Sequence, residues 1–261
     1  MDNSNYQIDL STGGAARPWL VLINGLFADF NSWDKLVPIL SSHFNLLRYN
    51  GRGQGSGAIF RDEIRLMDQV ADLKNLLDKT NIPQASLLGL SNGGRIAFKF
   101  TEMYPERVKT IVACDTYCEL DAPLELKLKS WLQAAQSNDP VLRYNITAPW
   151  IFGETVIRNF PGVIDFYRDR ASLSDGQTVI GLIQSALAQH SFELSKINCP
   201  VLLGVGDEDI LTPLKLHQEM ANRLSNAEVV ELKGGHASIL EFPDSLETKI
   251  IPFLLKNNMR L

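Results

Sequence analysis

A serine hydroxyl becomes a useful nucleophile near neutral pH only with a base in hydrogen-bond reach and an acid that orients the base. One serine of this chain is placed for such work. The stretch Leu87-Leu88-Gly89-Leu90-Ser91-Asn92-Gly93-Gly94 is an apolar run ending in a serine between glycines, and it passes into a helix-like segment. In Gly-x-Ser-x-Gly the serine is held in a tight strand-to-helix turn, and the glycines two residues away on either side let the chain pass closely. Such a turn lifts the Ser91 hydroxyl over the end of a sheet, beside the first amides of the following helix. A bare five-residue match also occurs in ordinary buried turns. Context separates the two readings, because Ala85 to Leu90 reads as a fully buried strand and Gly94 to Met103 as a helix.

The base must be one of four histidines. His43 starts a strand, His190 ends a helical stretch, and His217 sits mid-helix among Leu214, Leu216 and Met220. Only His236 lies in a loop after a strand, behind Gly234-Gly235, which lets the loop swing toward the sheet. The acid should come from a loop at the carboxyl ends of the strands, where open α/β sheets bind ligands. Asp207, Glu208, Asp209 and Asp115 all qualify by that criterion, although acidic loop residues are most often simply solvated. A developing oxyanion needs donors as well. The amide of Asn92, directly after the serine, is one; the amide of Leu26 is the expected second, since Gly25 before it permits close backbone approach.

The elements that must position these groups follow an alternating order. Trp19 to Ile23, Phe44 to Tyr49, Ala85 to Leu90, Val108 to Ala113 and Val201 to Val205 are apolar runs typical of parallel strands covered on both faces. Tyr6 to Leu10 reads as a short edge strand and Glu228 to Leu232 as the last strand. Helices are expected over Ser32 to Leu40, Glu63 to Lys79, Pro213 to about Leu224 and Ser245 to Leu255, with Pro243 just before the last. The second of these carries Ile64, Met67, Val70, Leu73 and Leu77 on one face. The glycine-rich Asn50-Gly51-Arg52-Gly53-Gln54-Gly55-Ser56 matches neither phosphate-binding glycine motif and reads as a tight loop fixed by Arg52.

The rhythm of strand and helix breaks between about Glu119 and Ser191. Leu124 to Ala135 and Thr178 to Gln189 look helical, and Trp131, Tyr144, Trp150, Phe152, Phe160, Phe166 and Tyr167 are too many aromatics for solvent. They serve the core of a helical insertion or an apolar pocket over the serine, or both. Trp131, Trp150, Phe152 and Phe160 are the pocket candidates. The division expected is therefore an α/β core of residues 1–118 and 192–261, with residues 119–191 inserted.

Composition narrows the rest. A charged fraction of 21% and a net charge of -5 describe an ordinary acidic globular protein without a basic block for nucleic acid. The start Met1-Asp2-Asn3-Ser4-Asn5 is polar and the longest apolar runs are of strand length, so a cytoplasmic protein with no membrane partner is expected. Cys114, Cys118 and Cys199 are an odd number without metal-ligand spacing, which suits reduced thiols. No cofactor or metal is implied, and the expected partner is a small-molecule substrate.

The order Ser91, Asp209, His236 on an alternating chain resembles the α/β-hydrolase superfamily over nearly the whole length. Gly206-Asp207-Glu208-Asp209-Ile210-Leu211-Thr212-Pro213 is similar to that family's Gly-x-x-Asp-x-x-x-Pro turn, which places the triad acid on Asp209. Gly235-His236 is similar to its Gly-His, and residues 49–56 to its Asp-x-Arg-Gly-x-Gly-x-Ser stretch, with Asn50 for the aspartate. Asn24-Gly25 stands where most relatives have His-Gly. The resemblance implies a mostly parallel, doubly wound sheet with reduced antiparallel strands at its start, and a helical lid over residues 119–191. A serine at the turn disfavours the dehalogenases and epoxide hydrolases of the superfamily, which use aspartate. The branch resembled holds small bacterial esterases, enol-lactonases and haloperoxidase-like enzymes. It implies hydrolysis of a small, mostly apolar ester or lactone; a biosynthetic acyltransferase or thioesterase, or a ligand-binding signalling protein with little turnover, are the alternatives.

Overall fold

The computed structural model describes residues 5–14, 16–55 and 58–258. Ser56 of the glycine-rich loop and residues 1–4 of the polar start lie outside them. Strands β1 Tyr6–Asp9, β2 Trp19–Ile23, β3 Asn45–Tyr49, β4 Ala85–Leu90, β5 Val108–Cys114, β6 Val201–Gly206 and β7 Ala227–Leu232 form one sheet. Its order is β1-β3-β2-β4-β5-β6-β7. All neighbours are parallel except β1, which pairs antiparallel with β3 at the edge.

Side chains of a strand point to alternate faces, so an unbroken apolar run requires cover on both. In β2, Val21 and Ile23 join one cluster while Leu20 and Leu22 join another. Leu87 and Leu88 divide in the same way, as do Ile111 and Val112. The first face is covered by α2 Leu66–Lys79 and α3 Asn92–Met103, through residues such as Val70, Leu73, Leu77, Ile96 and Phe100. Trp33, Leu36 and Leu40 cover the second, together with Leu246, Ile250 and Leu254 near the C-terminal end. Each such aliphatic side chain contributes about 1.5–3 kcal/mol on full burial.

Several expected helices come out differently. The stretch 32–40 is a 3-10 turn, Phe30–Trp33, followed by a short helix, α1 Val37–Leu40. Pro38 has no N–H to continue a helix from Asp34, and Asp29 caps the first turn instead. Helix α2 begins at Leu66, so Ile64 precedes it, and Met67 is 42% exposed while Leu66 and Leu76 complete the buried face. The closing segment is a π-helical turn, Leu246–Ile250, running into a regular helix. Pro252 sits just inside that helix, where it has no N–H to give to Thr248.

Five helices stand between β5 and β6: α4 Ala122–Gln136, α5 Pro140–Ile151, α6 Glu154–Asn159, α7 Pro161–Ser172 and α8 Gly176–Leu187. The sequence marks three of their starts. Asp121, Asp139 and Asp175 accept from the amides of Leu124, of Val141 and Leu142, and of Thr178. Such caps are worth about 0.5–2 kcal/mol each. After β6 come α9 Leu214–Ala221, β7, α10 Ser238–Glu241 and α11 Ile251–Asn258. Among the described residues no helix is long and apolar enough to cross a membrane.

Strand order fixes where a site can form. From β2 the chain moves outward to β3, then returns past β2 to β4 and proceeds the other way. Helices leaving β2 and β4 therefore diverge to opposite faces, and a crevice opens beyond the ends of these neighbouring strands. Ser91 follows β4, and Gly25-Leu26 follow β2.

Candidate active site

Ser91 has φ 54° and ψ -118°, a left-handed conformation that costs a non-glycine residue about 1–3 kcal/mol. The surroundings enforce it. Its N–H donates to the Cys114 carbonyl at 2.8 Å, and its carbonyl accepts from Gly94 N at 2.9 Å and from Thr116 Oγ1 at 2.6 Å. A Cβ on Gly89 would fall 2.4 Å from the Gly93 carbonyl oxygen, and one on Gly93 would fall 2.1 Å from that of Ile23. Glycine at both positions is thus a packing requirement of the turn.

The base and acid loops converge on this serine. Ser91 Oγ lies 2.8 Å from His236 Nε2, and His236 Nδ1 lies 3.0 Å from Asp209 Oδ2. Asp209 is buried and accepts from Leu211 N at 2.8 Å, Thr212 N at 2.9 Å and Thr212 Oγ1 at 2.8 Å. Burial alone would raise its pKa; the imidazole of His236 and the Thr212 donors outweigh it and hold the carboxyl below its usual value. Burial alone would lower the pKa of His236, but Asp209 carries it above its ordinary value, with Asp115 and Glu241 adding.

The other acidic loop residues have separate work. Asp207 accepts from Gly234 N at 2.9 Å, and Glu208 accepts from Thr155 N at 2.9 Å and from the Thr155 hydroxyl. Asp115, fully buried at φ 50°, accepts from Gly206 N, Ser238 N and Ser238 Oγ at 2.8, 3.0 and 2.7 Å. Burial and then the nearby Asp209 drive its pKa well up. It therefore braces the β6 end and α10 rather than touching the imidazole. Glu241 accepts from Gly235 N at 2.7 Å, and His236 N donates to the Ile151 carbonyl at 2.8 Å.

The remaining histidines stay apart. His217 accepts from Thr116 N at 3.1 Å and faces the Pro213 carbonyl at 3.4 Å; burial lowers its pKa to about 4, so it is a neutral structural group. Among the described residues no cluster of three or more His, Cys, Asp or Glu side chains could hold a metal ion.

On the other side of Ser91 stand the two amides. Neither Leu26 N nor Asn92 N has an acceptor among the described residues, the latter as the first residue of α3. A Cβ on Gly25 would lie 3.3 Å from Ser91 Cβ, which shows how closely the β2 loop approaches. The two departures from the resembled pattern find partners here. Asn24 accepts from Trp33 Nε1 at 2.6 Å and donates to the Tyr49 carbonyl at 2.8 Å, while Asn50 Oδ1 accepts from Phe30 N at 2.8 Å. Behind the turn, Asn92 Nδ2 donates to Gln69 Oε1 at 3.2 Å, and Gln69 Nε2 to Ser185 Oγ of α8 at 3.3 Å. Arg52 pairs with Asp72 of α2 at 2.5 and 3.0 Å, fastening the glycine-rich loop.

The pocket candidates divide. Trp131 is 2% exposed, in a cluster with Leu128 and Leu211 that Leu26, Phe27 and Trp150 border; its ring lies 6.1 Å from that of Phe27. Trp150 lies under Lys127 Nζ at 5.0 Å. Phe152 packs instead with Tyr144, Ala148 and Val156 in the insertion's own core, beside Tyr167. Phe160 and Phe166 are 50% and 58% exposed, so the expectation that these aromatics avoid solvent fails for both. They stand at the α6–α7 junction and on α7, outside the buried clusters. Thr212, Gln54, Gln69 and Glu241 were not singled out from sequence; only Thr212, a hydroxyl three residues after an aspartate, carried a local signal.

A doubly wound, mostly parallel sheet with a serine turn at its switch point, and helices inserted before β6, defines the α/β-hydrolase class of fold. The model of the alpha/beta hydrolase fold family matches residues 18–161, more than half of the chain, and the chain belongs to that family of enzymes. It is 23% identical over 235 residues to 3-oxoadipate enol-lactonase 2 of Acinetobacter baylyi, covering 89% of this chain and 87% of the relative. It is 27% identical over 255 residues to a Pseudomonas syringae protein named "Putative carbamate hydrolase RutD", covering 92% and 95%. Among solved structures, MGS-M2, an alpha/beta hydrolase enzyme from a Medee basin deep-sea metagenome library, superposes with a TM-score of 0.84 at 28% identity, covering 95% of this chain and 93% of that one.

Proposed function

We propose that the protein is a serine hydrolase that cleaves a small, mostly apolar carboxylic ester or lactone through an acyl-enzyme. The observation that carries this reading is the line Ser91 Oγ, His236, Asp209, with contacts of 2.8 and 3.0 Å. Ser91 attacks the carbonyl carbon as His236 takes its proton, and the amides of Leu26 and Asn92 hold the oxyanion. The tetrahedral adduct collapses, and His236 hands the proton to the leaving alcohol. Water then attacks the acyl group, giving its proton to His236, and the acid leaves as Ser91 is regenerated. Asp209 keeps the Nδ1 proton in place and stabilises the imidazolium throughout.

The substrate class is supported by the apolar cluster of Trp131 and Leu211 that Leu26, Phe27 and Trp150 border. Lys127, over the Trp150 ring, donates to the Ile210 carbonyl. An enol-lactonase among the relatives supports lactones as one arm of the class. The three thiols are unpaired, which suits the cytoplasm.

Initial rates on chromogenic acyl esters of increasing chain length, several lactones and a carbamate test the reading, with Ser91→Ala beside the native chain. Hydrolysis by the native chain that falls on the order of 10⁶-fold in a folded Ser91→Ala is the expected result. Equal rates for the two proteins, or no hydrolysis of any compound by the native chain, would overturn it.

A further inference from the structure

The two oxyanion donors differ in how their direction is set. Asn92 N opens a helix and is aimed by it, whereas Leu26 lies in a turn outside any helix or strand. We propose that Gln54 is the positioning residue that aims the Leu26 amide, a role that rests on the serine reading above. Gln54 Nε2 donates to the Gly25 carbonyl at 2.7 Å. That carbonyl and the Leu26 N–H belong to one planar trans peptide and point in opposite directions. A donor that captures the carbonyl therefore turns the N–H the other way, and Gly25, at the start of that peptide, approaches Ser91 so closely that a Cβ on it would lie 3.3 Å from Ser91 Cβ.

The Gln54 amide can be oriented in only one way. Its Oε1 accepts from Gly51 N at 3.0 Å and from Asn24 Nδ2 at 3.3 Å. Reversal would set its NH₂ against two donors and its oxygen against a carbonyl. Asn24, 2% exposed, is fixed in turn by Trp33 and Tyr49, so the amide of Gln54 is locked from behind. Beyond Leu26, Phe27 holds φ 63° with its ring against Trp131. The peptide is thus clamped on both sides, and Gln54 makes the one side-chain bond to it among the described residues. The clamp is neutral, and so its effect is independent of pH.

Gln54→Glu isolates the donor, because a carboxylate still accepts from Gly51 and Asn24 but cannot donate to Gly25. Gln54→Met, of similar length and without either polar atom, is the second variant. Both are compared with the native chain for kcat, KM, the acid limb of the pH profile, folded fraction, and the rate at which a p-nitrophenyl alkylphosphonate ester modifies Ser91. As Ser91 Oγ bonds to phosphorus and p-nitrophenolate leaves, negative charge grows on the phosphoryl oxygen where the oxyanion would sit. The expected result is a fall of about 10- to 100-fold in kcat and in phosphonylation, part of the 10²- to 10³-fold lost when a donor is removed outright. KM and the folded fraction stay unchanged, and so does the acid limb of Gln54→Met, which adds no charge. Either variant keeping both rates within about twofold of native, or losing rate only in proportion to folded fraction, overturns the role of Gln54. A native chain inert to the phosphonate and to every ester would overturn the serine reading itself.

Discussion

The two flanks of Ser91 are built from different materials. On one flank the groups are ionisable: buried Asp209 with three donors, His236 between Asp209 and Ser91, and buried Asp115 with half-buried Glu241 bracing the loops. On the other, backbone amides are held by neutral carboxamides, Asn24 and Gln54 in front and Asn92 with Gln69 behind. A flank made of charges responds to pH and to loss of a partner by leaving a buried charge unpaired. A flank made of amides carries no charge to titrate or to leave unpaired and depends on geometry alone. In the proposed mechanism one side thus governs when the serine is activated, and the other how well the oxyanion is received.

The contrast is broken most severely at the acid. Asp209→Asn is expected to lower kcat up to about 10⁴-fold, as the wrong imidazole tautomer is favoured. Asp115→Asn should instead keep most activity and cost about 1–3 kcal/mol of stability through its buried bonds, measured by urea unfolding. The reverse ranking of the two in kcat would exchange their roles.

A smaller effect sharpens the same flank. The proposed mechanism needs a neutral His236 to accept the serine proton, and its pKa is raised in the folded protein. Activity should therefore fall as pH drops through a value above the ordinary histidine value of about 6.5. Glu241→Gln, which removes one of the charges that favour the imidazolium, should move that limb to lower pH. Gln54→Met, which adds no charge, should leave it where it is, and a pH–rate profile of kcat/KM on each reads both. Smallest of all, Phe160→Ala should change stability by no more than about 0.5 kcal/mol. Trp131→Ala, at a 2% exposed position, should cost about 3–5 kcal/mol by thermal or urea unfolding.

The charged flank is also the one that could be read in the sequence. Ser91 and His236 stand beside glycines at strand ends, and such spacing survives without knowledge of the fold. The choice of Asp209 over Asp207, Glu208 and Asp115 came from a resembled turn, and the four carboxylates indeed occupy four different environments. Gln54 and Gln69 were opaque because their partners lie 29 and 23 residues away, and a carboxamide carries no periodic or charge signal. In the fold, parallel strands such as β2 were legible as unbroken apolar runs. Helices α5 to α7 were not, since Pro149 lies inside α5 and the α7 face that packs on Tyr144 and Phe152, through Val163, Ile164, Tyr167 and Ala171, is only partly buried.

The helices between β5 and β6 are fastened to the rest of the enzyme at more than their two chain ends. His236 N reaches the Ile151 carbonyl, Glu208 reaches Thr155, and a Cβ on Gly235 would strike Gly153 N at 2.3 Å. This mid-insertion seam makes α4–α8 a poor interchangeable cassette. A chimera that exchanges it between relatives has to carry Gly153, Thr155, Glu208 and Gly235 as a matched set, and residues 151–155 will diverge only in step with the histidine loop they face.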